Sequence, residues 1–209
     1  MSSVLIPKPI LAVLFVLAVL SAPAARCADK TIVVLGDSLS SGYGLATEQS
    51  WVSLLEQRLS KEGYGYEVVN ASIAGDTSDG GRARLPPLLA RHRPAIVVIE
   101  LGGNDGLRGQ PVEKLRKNLA AMIELSRAAG ARVVLTGIQI PPNYGPDYTT
   151  ALASVYTGLA KEYDVPLVDF LLEGVALHPE LMQGDRIHPN AKGQAVLFDN
   201  VWRVLEPLL

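Results

Sequence analysis

Beyond about residue 29 the chain alternates between short apolar runs and amphipathic stretches. The apolar, β-branched runs are TIVVLG (Thr31 to Gly36), YEVVNAS (Tyr66 to Ser72), AIVVIEL (Ala95 to Leu101), ARVVLTG (Ala131 to Gly137) and VPLVDF (Val165 to Phe170). Continuous runs without polar alternation read as strands buried on both faces, as in a parallel sheet. Between them, apolar residues recur at helical spacing. Trp51, Leu54, Leu55 and Leu59 share one helix face, and Leu115, Leu119, Met122 and Ile123 share another, with Gly130 as a stop. A third pattern spans about Asp147 to Tyr163, and a last helix follows Pro189. The segment from Asp76 to His92 carries no clean period, because Gly80, Gly81, Pro86 and Pro87 interrupt it. Five strands alternating with helices predict a three-layer α/β/α domain with a right-handed, doubly wound sheet.

The amino terminus has a different pattern. Lys8 precedes an unbroken apolar block, Ile10 to Leu20, and then the small residues Ser21 to Ala25. This is the order of a secretory signal peptide, with Ala22-Pro23-Ala24 as an A-x-A-like cleavage site. Residues 1–25 are read as a signal peptide, its boundary within 24–28, and residues 29–209 as one domain. The apolar block is short for a bilayer span, so no stable transmembrane anchor is expected. Cys27 raises the question of lipid attachment, and Arg26, where a small residue is needed, argues against it. Cys27 is also the only cysteine, which excludes an internal disulfide and leaves the fold to its core. The formal net charge is −2 and no Lys/Arg-rich run occurs, so nucleic acid is not an expected partner. These features predict an exported protein, periplasmic or secreted, and a monomer.

In doubly wound sheets, sites form at the carboxyl ends of strands. Ser38 follows the first strand in VVLGDSLSSGYG (Val33 to Gly44). A serine nucleophile needs a base, and three histidines are available. His92 precedes the third strand, and His178 has no acidic residue closely before it. His188 has Asp185 three residues earlier, near enough to fix its tautomer and stabilise an imidazolium. Acyl transfer also needs donors for a developing oxyanion. Gly75, in NASIAGDTS after the second strand, offers an unobstructed backbone N–H; Asn104, in ELGGNDG after the third, offers a side-chain amide. Asp37 suits a structural role in the turn that presents Ser38.

GDSLS, Gly75 in NASIAGDTS, GGND (Gly102 to Asp105) and DRIHP (Asp185 to Pro189) resemble, in order, the four blocks of the SGNH (GDSL) hydrolases. IPPNYGPDY (Ile140 to Tyr148) and KEYDVPLVDF look more narrowly like the bacterial thioesterase I / protease I / lysophospholipase subgroup of multifunctional esterases. The resemblance implies a flavodoxin-like fold whose five-stranded parallel sheet is ordered 2-1-3-4-5. It implies Ser38 as nucleophile, His188 as general base oriented by Asp185, and an oxyanion hole from the N–H groups of Ser38 and Gly75 with the Asn104 side chain. The implied activity is hydrolysis of acyl esters, thioesters or lysophospholipids through an acyl-enzyme, without cofactor or metal. Leu107, Ile140, Pro141 and Tyr144 are candidate substrate-binding residues, and Gly75 to Ser78 a candidate mobile loop.

Other classes fit less well. GDSLS has Ser40 where the G-x-S-x-G elbow of α/β-hydrolases needs glycine. No phosphate-binding P-loop occurs, and SGYGLAT lacks the third glycine of a dinucleotide fingerprint. The histidines lack metal-ligand spacing. A carbohydrate acetylesterase of the same fold and a non-catalytic flavodoxin-like binding protein remain as alternatives.

Overall fold

In the computed structural model the described residues are 30–209, so the signal-peptide segment and Cys27 lie outside them. The five apolar runs form strands β1 (Lys30–Gly36), β2 (Tyr66–Asn70), β3 (Ile96–Glu100), β4 (Arg132–Thr136) and β5 (Leu167–Val168). They pair in parallel in the order β2-β1-β3-β4-β5. The central positions Ile32 to Leu35, Ile96 to Ile99 and Val133 to Leu135 are buried, as unbroken apolar runs require. The edges are different. Val68 and Val69 of β2 are half-buried, and β5 keeps only two ladder residues of the expected run.

The amphipathic patterns form α2 (Trp51–Glu62), α5 (Val112–Ala128), α6 (Pro146–Tyr163) and α7 (Ala191–Leu205) around the short turns α1 (Ser38–Ser41) and α4 (Gly103–Leu107). A further helix, α3 (Ser78–His92), occupies the segment without a clean period. It buries Leu85 and Leu89 against the core while Pro86 and Pro87 face solvent. The carbonyls of Arg82 and Ala83, which those prolines cannot serve, belong to exposed residues and reach water. Core packing thus overrides poor helix propensity. Helices α3, α5 and α6 pack side by side, and α2 packs on α7, so the sheet lies between two helical layers. No helix among the described residues is long and apolar enough to cross a membrane.

Candidate active site

The carboxyl end of β1 leads directly into α1, and Ser38 is the first residue of that helical turn. Asp37 caps it, its carboxylate accepting the Leu39 N–H at 3.0 Å. Gly36 permits the sharp transition because a Cβ there would lie 2.7 Å from the Ser40 Cβ and 2.8 Å from the Glu100 carboxylate. The cap and the close approach together place Ser38 half-buried at the base of an open cleft.

From the far end of the chain, the segment before α7 folds back onto this turn. Asp185 Oδ1 accepts the N–H groups of Ile187 and His188, each at 3.0 Å, which closes a tight loop. Its other oxygen lies 2.7 Å from His188 Nδ1, and His188 Nε2 lies 2.9 Å from Ser38 Oγ. A carboxylate can only accept, so Nδ1 carries the proton and Nε2 accepts from the serine hydroxyl. Burial alone would raise the Asp185 carboxyl; the bonds from the His188 ring and from two backbone N–H groups outweigh it and hold it at about 2. Tyr43 covers one face of the imidazole at 4.6 Å between ring centroids.

Gln194, buried on α7, locks these two ends together. Its side-chain oxygen accepts the Trp51 N–H at 2.8 Å, and its amide donates to the Leu39 carbonyl at 3.3 Å. Gln183 adds a second clasp, donating to the carbonyls of Tyr43 at 2.8 Å and Pro189 at 3.0 Å.

Gly75 has φ of +78°, a conformation that suits glycine, and its N–H has no acceptor among the described residues. Its carbonyl accepts from Arg108 at 2.8 Å, and neighbouring Asp76 is paired with Arg84 at 2.7 Å. At the end of this loop, buried Asp105 accepts both the Ser78 N–H at 2.8 Å and the Ser78 hydroxyl at 2.5 Å. Asn104, on α4, donates from Nδ2 to Asp37 at 3.0 Å, which leaves its second amide proton uncommitted.

Beneath the turn lies a carboxyl that the sequence pattern concealed. Glu100 ends β3 opposite Gly36 and is fully buried. One of its oxygens accepts the Asp37 N–H at 3.1 Å and the Ser40 hydroxyl at 2.7 Å, while Trp51 donates to that hydroxyl at 3.2 Å. Burial, and then the neighbouring Asp37, push Glu100 well above the carboxylate range, while burial pushes Asp37 up to about 6. Two buried carboxyls so close cannot both ionise readily, and of the two Glu100, fully buried, is held further above the ordinary carboxylate range. A charged residue closing an otherwise apolar strand, IVVIE, was the only signal for it.

Ser38, Asn104 and His188 open onto a cavity of about 630 Å³. Of the candidate substrate-binding residues, Leu107, Ile140 and Pro141 line it, beside Leu172, Leu177 and Ile187. Tyr144 is not in the lining; its hydroxyl donates to the Leu107 carbonyl at 2.9 Å and braces that wall. The other histidines lie elsewhere: His92 ends α3, and His178 pairs with Glu180 at 3.1 Å on the surface.

The family model described as "GDSL-like Lipase/Acylhydrolase family" matches residues 34–196. The chain is 55% identical over 184 residues to "Esterase TesA" of Pseudomonas aeruginosa, covering 88% of this chain and 92% of that protein. It is 45% identical over 185 residues to "Thioesterase 1/protease 1/lysophospholipase L1" of Escherichia coli, covering 88% and 87% of the two chains. A crystal structure of TesA superposes with a TM-score of 0.84 at 56% identity, covering 86% of this chain and all of that one. With the matched region spanning β1 to α7, this chain belongs to the GDSL-like lipase/acylhydrolase family.

Proposed function

We propose that the protein is a serine esterase that hydrolyses acyl esters and thioesters, lysophospholipids among them. The observation that carries this reading is the unbroken chain from Ser38 Oγ to His188 Nε2 at 2.9 Å and from Nδ1 to Asp185 at 2.7 Å, opening onto an apolar cleft. The names borne by its relatives, esterase and thioesterase/lysophospholipase, agree with it.

In the first half-reaction, Ser38 Oγ attacks the acyl carbonyl carbon as its proton passes to His188 Nε2. The carbonyl oxygen becomes an oxyanion, held by the N–H groups of Ser38 and Gly75 and by the uncommitted Asn104 amide proton. When the intermediate collapses, the C–O or C–S bond breaks and His188 protonates the departing alcohol or thiol. Water, deprotonated by His188, then attacks the acyl-Ser38 carbonyl, releases the carboxylic acid and restores the serine. Asp185 holds the imidazole in the required tautomer throughout. The acyl chain lies along Leu107, Ile140, Pro141, Leu177 and Ile187, where burial contributes about 25 cal/mol per Å² of apolar surface.

Residues 1–25 act as an export leader in this reading, and the active product is a periplasmic monomer. Amino-terminal sequencing of the periplasmic protein should find a start within residues 25–29.

The decisive test pairs Ser38→Ala with an organophosphonate probe. Wild type should be labelled at Ser38 and should turn over p-nitrophenyl esters and acyl-CoA; Ser38→Ala should do neither. An unlabelled wild type would make the chain a binding protein. Turnover confined to acetylated sugars would make it a carbohydrate acetylesterase.

A further inference from the structure

Asn104 is only half-buried and sits on a helical turn of five residues, so little packing fixes the direction of its amide. A freely rotating carboxamide presents its oxygen to the oxyanion as readily as its nitrogen, and the oxygen would repel. One acceptor breaks this symmetry: Asp37 Oδ2, 3.0 Å from Asn104 Nδ2. Asp37 is only 2% exposed, so water does not compete for it. It cannot rotate, because its other oxygen takes the Leu39 N–H at 3.0 Å and its own N–H is tied to Glu100 at 3.1 Å. Glu100 in turn is fixed by the Ser40 hydroxyl at 2.7 Å, with the Trp51 indole behind it.

We propose that Asp37 is a positioning residue for the oxyanion hole: as a buried, immobilised acceptor it holds the Asn104 amide so that the second N–H points at the reacting oxygen, with Glu100 as the platform that fixes Asp37. The proposal rests on the reading of Asn104 as an oxyanion donor. It gives the aspartate of the GDS turn a part in the chemistry beyond its cap to Leu39. The turn therefore presents the nucleophile through Ser38 and orients an oxyanion donor through Asp37.

The test is a double-mutant cycle on kcat and KM for a p-nitrophenyl ester, using Asp37→Asn, Asn104→Ala and the double variant. In Asp37→Asn the side-chain oxygen can keep the Leu39 N–H, which leaves an NH₂ facing the Asn104 NH₂. Two donors repel, so Asn104 must turn away. Asn104→Ala should lower kcat on the order of 10²–10³-fold. Asp37→Asn should lower kcat at least tenfold with KM little changed, and the double variant should be no slower than Asn104→Ala. A normal kcat in Asp37→Asn, or a double variant slowed by the product of the two single losses, overturns the proposal while leaving the oxyanion role of Asn104 intact. A normal kcat in Asn104→Ala removes that role itself, and the proposal with it.

A second readout needs no variant at position 37. In ¹⁵N spectra of the wild type, assigned by loss of the signal in Asn104→Ala, one Asn104 side-chain proton should be shifted downfield and exchange slowly. Two averaged, rapidly exchanging protons would overturn the proposal even if Asp37→Asn fails to fold.

Discussion

At the scale of single residues, the chemistry depends on which side chains can only donate and which can only accept. Ser38 is reactive in this reading because His188 presents a bare Nε2 to it, and Nε2 is bare because Asp185 claims the proton on Nδ1. Asp185→Asn tests this with almost no change of shape. The new oxygen can keep the N–H groups of Ile187 and His188, but an NH₂ then faces Nδ1. The ring must adopt the other tautomer and donate to Ser38, so it cannot take the serine proton. A loss in kcat on the order of 10⁴ is expected, as for the same change in a serine protease triad, with KM and the melting temperature moved far less. A variant within tenfold of wild type in kcat would remove Asp185 from the proton path.

At the scale of elements, β1, the loop after β2, α4 and the segment before α7 must meet within hydrogen-bonding tolerance, and Gln194 is the brace between the two most distant. Gln194→Ala removes the acceptor for a buried Trp51 N–H and the donor to the Leu39 carbonyl. The orphaned groups should cost about 1–3 kcal/mol of stability. Activity should fall further than stability accounts for, because His188 and Ser38 lose their shared reference; a variant with a lowered melting temperature and a normal kcat at low temperature would refute that coupling. This brace also marks the limit of what the sequence reveals. The strands were legible because Ile32 to Leu35 and Ile96 to Ile99 are buried on both faces and need no polar alternation. That Asp185, His188 and Ser38 meet was legible because a carboxylate, an imidazole and a hydroxyl of that kind are confined to few residue types. Gln194 and Glu100 were not, since an amide on an amphipathic helix and an acid closing a strand look like solvent-facing residues until the tertiary fold buries them. Nor was α3, whose Pro86 and Pro87 are tolerated only because their face of the helix meets water.

At the scale of the whole molecule, the site opposes the fold. Holding Asp37 as a buried anion is useful for orienting Asn104, and it costs stability wherever the folded protein must keep that group ionised. Burial moves the Asp37 carboxyl from 3.8 to about 6. Below about pH 4 the group is protonated in both folded and unfolded chains and imposes no such cost. Between about pH 4 and 6 the unfolded chain releases the proton while the folded chain keeps it, so stability falls as pH rises; above about 6 both have lost it and the cost is constant. Asp185, held at about 2, works in the opposite sense, contributing stability above the unfolded carboxylate range that is lost as pH falls toward 2. Comparing wild type with Asp37→Asn removes the Asp185 contribution, which is common to both, and leaves that of Asp37 together with its coupling to Glu100. Denaturant melts across this range should show the variant gaining on wild type as pH rises from about 4 to 6. Curves that stay parallel across that interval would mean that burial leaves the Asp37 carboxyl at its unfolded value and that its charge carries no cost in the fold.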